Sequence, residues 1–225
     1  MPTDYKYFFD YMNDHYVPGN HYFDIFNVKY VLSTASFNDP TLTLELVAQW
    51  NGIQVYKRQN SMPRAWLAPQ VKIVKKDKDA IIFATVHPGR NFYESVVLEE
   101  NPQSPYPEFK EYSKSPTGNV PPPQDRQAKI TLLEENRLRI ETQASIPTFL
   151  VLSEKWEPHW KAWIDDVPAK IYKANFLMRA IELPPGNHTV RMEYRPPMTT
   201  FWISFVSIGL FVLYGLERLI KRLTS

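Results

Sequence analysis

One stretch near the C-terminus constrains what this chain can become. From Phe201 to Leu216 the sequence carries no charge, and Glu217-Arg218-Leu219-Ile220-Lys221-Arg222 follows at once. A bilayer span takes about 17–25 mostly apolar residues. Uncharged Met198, Thr199 and Thr200 extend the run into that range. Trp202 and Tyr214 lie near its two ends, where amphipathic rings favour the headgroup layer. Ser204, Ser207, Gly209 and Gly215 are the small residues found where one membrane helix packs on another. The alternative is a buried helix of a soluble core, against which the length of the run argues.

The flanks set an orientation. Arg218, Lys221 and Arg222 cluster just after the span, so the positive-inside tendency predicts a cytoplasmic C-terminus, with residues 1–197 extracytoplasmic at the cell membrane. Met1 to Lys6 is polar and is not followed by the apolar core of a signal peptide. The expectation is therefore that this chain is the tail of a longer protein whose earlier spans carry the body across.

The body is not itself embedded in a membrane, since the mean hydropathy is −0.38. Its 44% hydrophobic and 14% aromatic content suffices for one or two small cores. A net charge of +2, from 26 basic and 24 acidic residues, gives no electrostatic case for nucleic acid as a partner. The sequence has no cysteine, which excludes disulfides, thiolate metal sites and cysteine catalysis. Twenty prolines against seven glycines suit strands joined by stiff loops.

The predicted architecture is mainly β: an antiparallel sandwich or jelly-roll-like extracytoplasmic body, with a short N-terminal helix and one C-terminal transmembrane helix. Residues 1–99 read as a helix followed by a strand-rich subdomain. Tyr5, Phe8, Phe9, Met12 and Tyr16 form one helical stripe, which Val17-Pro18-Gly19-Asn20 ends. Asn51-Gly52 between Leu44–Trp50 and Ile53–Lys57 predicts a hairpin. Val28–Leu32, Ala65–Leu67, Val71–Val74 and Ala80–Val86 read as further strands, with Lys75–Asp79 as a charged turn. Residues 100–127 are a proline-studded linker or surface excursion. Residues 128–197 are the clearest β module, with strand runs about every ten residues. Residues 198–217 are the span and 218–225 the basic tail.

An ordered set of segments resembles the C-terminal extracytoplasmic region and last transmembrane helix of the YfhO family of bacterial membrane proteins. The segments are Phe26–Leu32, Val55–Arg58 leading to Met62-Pro63-Arg64-Ala65-Trp66, the long stretch Leu150–Phe176, Arg179-Ala180-Ile181, Pro185–His188 and Tyr194-Arg195-Pro196. They occur in the family's order and are followed by a final span. The resemblance implies a polytopic protein similar to GT-C-type glycosyltransferases. Such proteins move a sugar from a polyprenyl-phosphate carrier to a cell-envelope glycopolymer. Partners implied are the lipid bilayer, upstream helices of a parent protein, and that lipid-linked sugar or polymer. The catalytic acid in such architectures sits in an early loop, so no catalytic residue is carried over, and whether this chain acts as an enzyme is left open. No cofactor is implied. The family's Asp-Gly turn is replaced here by Asp165-Asp166.

Within the body, chemistry-bearing candidates are few. The histidines His15, His21, His87, His159 and His188 form no helical metal-ligand pair, and no metal is expected. Glu99/Glu100, Glu134/Glu135 and Asp165/Asp166 read as solvated turn residues, not as glycosidase acids. Trp156, Trp160, Trp163, Tyr172 and Phe176 are dense enough either to pack a core or to stack on sugar rings. Trp156 and Trp160, beside His159, are the carbohydrate-contact candidates. Arg64 and Arg179, each set in apolar sequence, are candidates for ion pairs or for an anionic ligand. Three functions follow: a non-catalytic module of lipid-linked sugar transfer, a structural cap on a helix bundle, or an independent carbohydrate-active enzyme.

Overall fold

The computed structural model describes residues 3–14, 22–38, 44–75, 77–78, 81–82, 91–107 and 123–224. Two short helices, α1 (Thr3–Asp14) and α2 (Tyr22–Ile25), precede β1 (Tyr30–Ser33), β2 (Leu44–Trp50) and β3 (Ile53–Arg58). Next come β4 (Ala65–Ala68), β5 (Gln70–Ile73), β6 (Ser95–Leu98) and β7 (Arg126–Leu133). The chain continues through β8 (Arg137–Ala144), β9 (Thr148–Leu152), β10 (Trp160–Ile164) and β11 (Val167–Ala169). It closes with β12 (Ile171–Ala174), β13 (Met178–Leu183), β14 (Gly186–Tyr194) and the long helix α3 (Thr199–Leu223).

The strands form three sheets, ordered β1-β3-β2, β11-β10-β14-β8-β7 and β4-β9-β13-β12-β6-β5. All pairings are antiparallel except β5 with β6. The expected mainly β, antiparallel body with a short N-terminal helix and one C-terminal apolar helix is what the chain forms.

The two larger sheets pack face to face. Alternate residues of β8 and β14, such as Leu138, Ile140, Val190 and Met192, meet Leu150, Leu152, Ile181 and Leu183 of the six-stranded sheet. The opposite, outward face of β8 is exposed, which gives its strict alternation. The six-stranded sheet is buried on its second face too. Trp66, Phe149, Val151, Tyr172 and Met178 lie there under Ile25, Met62, Phe92 and Tyr93. Strand β9 (Thr-Phe-Leu-Val-Leu) is thus buried at every position, which explains its unbroken apolar run.

Strands from before and after the proline-rich segment share this central sheet: β4 pairs with β9, and β6 with β12. The start of that segment packs on the sheet as well. The Gln103 and Ser104 N–H groups donate to the Glu182 carboxylate at 3.1 and 2.7 Å. Residues 108–122 lie outside the described residues. Arg126, at the segment's end, already belongs to β7 and donates to the Leu67 carbonyl at 3.3 Å.

Turn chemistry explains the hairpins. Asn51 and Gly52 both take positive φ (47° and 77°), as the sequence predicts. Asp165 and Asp166 also take positive φ (48° and 67°), so they make the same kind of two-residue turn without glycine. Asp165 is held there from outside: its carboxylate accepts from Thr189 N–H at 2.8 Å and meets His188 Nδ1 at 2.6 Å. The Ala80–Val86 expectation is corrected. Ile81 and Ile82 are helical, Ile81 N–H donating to the Asp77 carbonyl at 2.9 Å, and both bury against Phe8 and Phe176 instead of joining a ladder. Residues 83–86, and Tyr16 to Asn20 of the first helix and its exit, lie outside the described residues.

Two outcomes follow. Leu150→Ala, in the middle of the sandwich, is expected to destabilise the body by about 2–5 kcal/mol in chemical denaturation, whereas Val167→Ala, at an exposed edge, changes it by less than about 0.5 kcal/mol. The second concerns pH. The hydrogen bond to Asp165 raises the His188 titration above its ordinary value, and the bonds from His188 and Thr189 hold the Asp165 carboxyl below its own. His188 thus contributes stability below its ordinary pKa and loses it as pH rises through the folded value. Asp165 contributes above its ordinary pKa and loses it as pH falls through the folded value. Asp165 is largely exposed, so solvent screens the energy; the readout is therefore the titration. NMR should find His188 shifted downward in Asp165→Asn, and an unmoved titration would refute the pairing.

Candidate functional site

The candidate residues gather at the end of the sandwich from which α3 leaves. The loop from Ser153 to His159 joins β9 to β10 and is pinned along its length. Ser153 N–H donates to the Arg64 carbonyl at 2.9 Å, and Trp156 N–H to the Leu177 carbonyl at 2.7 Å. Arg195 N–H, in the link to α3, donates to the His159 carbonyl at 2.9 Å.

Leu177 can serve as an anchor because of an unusual turn. Asn175 and Phe176, between β12 and β13, both take positive φ (44° and 68°). For a bulky residue such as Phe176 this conformation is strained. It is held by buried Asn175, whose N–H donates to the Val97 carbonyl at 2.9 Å and whose side-chain oxygen accepts from Val97 N–H at 3.0 Å. Phe176 then stacks on Phe8 of α1, with ring centroids 5.9 Å apart.

Trp160 opens β10 and turns toward the space between the sheets, next to Ala162. Arg179, on β13, points into the same space from the other sheet and lays its guanidinium 4.1 Å from the Trp160 ring centroid. Its Nη2 donates to Glu154, while Nε and Nη1 are buried without hydrogen-bond partners. Burial pushes the Arg179 guanidinium below its ordinary pKa, and Glu154 holds it up. Arg64 Nε lies 3.7 Å from the same carboxylate, with its side chain half-exposed. One acid therefore joins both candidate arginines to the candidate tryptophan. Trp156 and His159 sit on the rim, both half-buried, with the His159 ring edge-on to Tyr194 at 6.2 Å.

Sequence reasoning missed Glu154 and Tyr194. Glu154 stands two residues before Trp156 in a run that reads as an ordinary loop. Only pairing across the sandwich brings it to Arg179.

Trp163 faces the other way, as strand alternation requires. Arg191 and Arg195 approach its ring at 4.2 and 5.0 Å, and both donate to Glu193, at 2.7 and 2.8 Å. The bond from Arg195 leads in lowering the Glu193 pKa.

Glu100 and Asp166 are solvated as the sequence predicts, whereas the Glu99 side chain is mostly buried under its partner lysine, and these acids form no common site. Glu99 pairs with Lys173 at 3.1 Å, Glu100 with Lys170 at 2.9 Å, and Asp166 with Arg191 at 3.6 Å. Among the described residues, no group of three or more His, Asp and Glu is placed to hold a metal ion. Beside Arg64 a cleft of about 840 Å³ opens between Lys29, the Asn60–Arg64 segment and Ile130, Thr131 and Leu133 of β7.

Helix α3 contains the one segment long and apolar enough, among the described residues, to cross a membrane: Phe201–Leu223, with none of its apolar window buried against the body. Its uncharged run 199–216 rises about 27 Å at 1.5 Å per residue, near the roughly 30 Å of a hydrocarbon core. Compared with known proteins, the chain matches no family model, no curated protein and no solved structure.

Removing Glu154 leaves the buried Arg179 charge uncompensated. Glu154→Gln is expected to cost about 3 kcal/mol in chemical denaturation. The double change Glu154→Gln with Arg179→Met should recover much of that loss, since it removes the orphaned charge. A double-variant loss equal to the sum of the Glu154→Gln and Arg179→Met single losses would show that the pair is not coupled.

Proposed function

We propose that the chain is a membrane-tethered, non-catalytic extracytoplasmic module of a polytopic protein that transfers a lipid-linked sugar to a cell-envelope glycopolymer. The observation that carries the tether is α3: 25 residues, exposed along its length, joined to β14 by only residues 195–198. A helix so apolar would aggregate in water and is satisfied by lipid or by neighbouring membrane helices. The link to lipid-linked sugar transfer comes from the ordered YfhO-like segments, of which Leu150–Phe176 and Arg179-Ala180-Ile181 supply the Glu154–Arg179–Trp160 corner. The basic residues Arg218, Lys221 and Arg222 at the far end of α3 support a cytoplasmic C-terminus and an external body.

In this role Trp156 and His159 offer the accessible rim for a sugar, and Arg64 the accessible cation. A second reading, a purely structural cap on the parent's helix bundle, is favoured by one observation: Arg179 already occupies a face of Trp160.

Orientation is checked with single cysteines, which the natural sequence permits because it has none. In intact cells, an impermeant maleimide should label Asn187→Cys and should reach Thr224→Cys only after permeabilisation. The reverse pattern would overturn the orientation. Trp156→Ala should weaken glycopolymer binding at least several-fold while leaving the fold intact, because aromatic stacking is a main contributor at such rims. Unchanged binding in both Trp156→Ala and a folded Trp160→Ala would remove sugar contact and leave the structural cap.

A further inference from the structure

We propose that the three-stranded sheet β1-β3-β2 is a bilayer-contact surface that lays the body onto the interfacial layer of the membrane entered by α3. This rests on the reading that α3 lies in a bilayer. The sheet carries an apolar face that the other described residues leave open: Trp50 is 73% exposed, Leu32 69%, Tyr30 54% and Ile53 37%. The ladder register puts them on one face. Tyr30 and Leu32 lie opposite Lys57 and Val55, and Trp50 lies opposite Ile53. Two-residue alternation along each strand then aligns Tyr30, Leu32, Trp50 and Ile53 together. A contiguous exposed apolar cluster of this kind marks a contact surface.

The position of the sheet identifies what it contacts. Tyr194 N–H donates to the Asn136 carbonyl at 2.9 Å, so the tip of the β7–β8 hairpin lies where the chain leaves for α3. Residues 195–198 are the whole link, and four extended residues reach about 14 Å at most. That end of the sandwich is therefore held close to the bilayer. The root of the small sheet sits at the same end: Lys29, just before β1, lines one cleft with Leu133 of the hairpin and with Arg64. A buried pair, Arg58 Nη2 to Asp24 Oδ1 at 2.8 Å, fixes β3 to the body there.

The chemistry of the patch fits lipid rather than water. Trp and Tyr with flanking lysines are the side chains that settle at headgroup depth. Lys29 and Lys57 are exposed, which suits anionic phospholipid headgroups.

The test uses the whole chain in nanodiscs of phosphatidylcholine with or without phosphatidylglycerol. Single cysteines at Leu32→Cys, Trp50→Cys, Phe211→Cys and Asn187→Cys carry an environment-sensitive fluorophore. Asn187 lies at the opposite end of β14, roughly 23 Å from Tyr194 at about 3.3 Å per residue. The labels at 32 and 50 should be quenched by headgroup-proximal doxyl lipid at least about twofold more than the label at 187, as for side chains seated in the interfacial layer. Lys29→Glu with Lys57→Glu should abolish any gain from phosphatidylglycerol. If 211 is quenched while 32 and 50 read as water, the docking surface is refuted and the tether stands. If 32 and 50 are shielded but not quenched by lipid, a protein covers the sheet and the proposal is equally refuted. If 211 itself escapes quenching, the tether fails, and this proposal with it.

Discussion

The central six-stranded sheet has no face left for water, and that constraint organises the molecule. β9 and β13 are buried almost throughout, so both of their surfaces need a covering layer. The five-stranded sheet supplies one, with alternating apolar residues. Ile25 of α2, Met62, Phe92, Tyr93 and the start of the proline-rich segment supply the other. Because strands from both sides of that segment pair in the same sheet, neither part could bury its apolar surface alone. This is the physical reason the proline-rich segment joins two parts of one body instead of separating two bodies.

The same layering creates the corner that holds the candidate site. Arg179 projects into the space between the sheets at the point where apolar pairing ends. Burying a guanidinium there requires an acid and a polarisable neighbour. Glu154 and Trp160 meet that need. A strained turn at Asn175–Phe176, fixed by two bonds to Val97, holds the loop carrying Glu154 and Trp156 in place. Trp160 is thereby a packing residue on one face, while Trp156, His159 and Arg64 keep access to the outside. The site is best understood as a rigid interior pair with a more open rim.

The end of the sandwich that faces α3 concentrates the unusual features of the chain. The candidate site, the cleft beside Lys29 and Arg64, and the root of the small sheet with its open apolar face all lie there. On the proposed reading of α3 as a bilayer span, the four-residue link makes this the side nearest the bilayer. Surfaces that would be liabilities in a freely dissolved protein become reasonable when lipid or membrane helices stand opposite them.

Some of this was legible in the residues themselves. The apolar run of α3 needed no tertiary information, since its length and lack of charge come from local composition. The Asn51-Gly52 hairpin and the strand alternation of β8 and β14 follow from turn stereochemistry and a period of two, both local. Ala80–Val86 misled because a short apolar run suits a strand or a helix equally, and burial against Phe8 and Phe176 decided for helix at Ile81 and Ile82. Asp165-Asp166 turned as tightly as Asp-Gly because His188 and Thr189, more than twenty residues away, hold the first aspartate. Likewise the meeting of Glu154, Arg179, Trp160 and Arg64 depends on which strands pair and which faces meet. The sequence alone determined the membrane-length helix, the β character and the Asn51-Gly52 turn, because each is set by neighbours along the chain. Only the tertiary structure decided which charges share a carboxylate and which aromatics stay exposed, because those depend on contacts between residues far apart in the sequence.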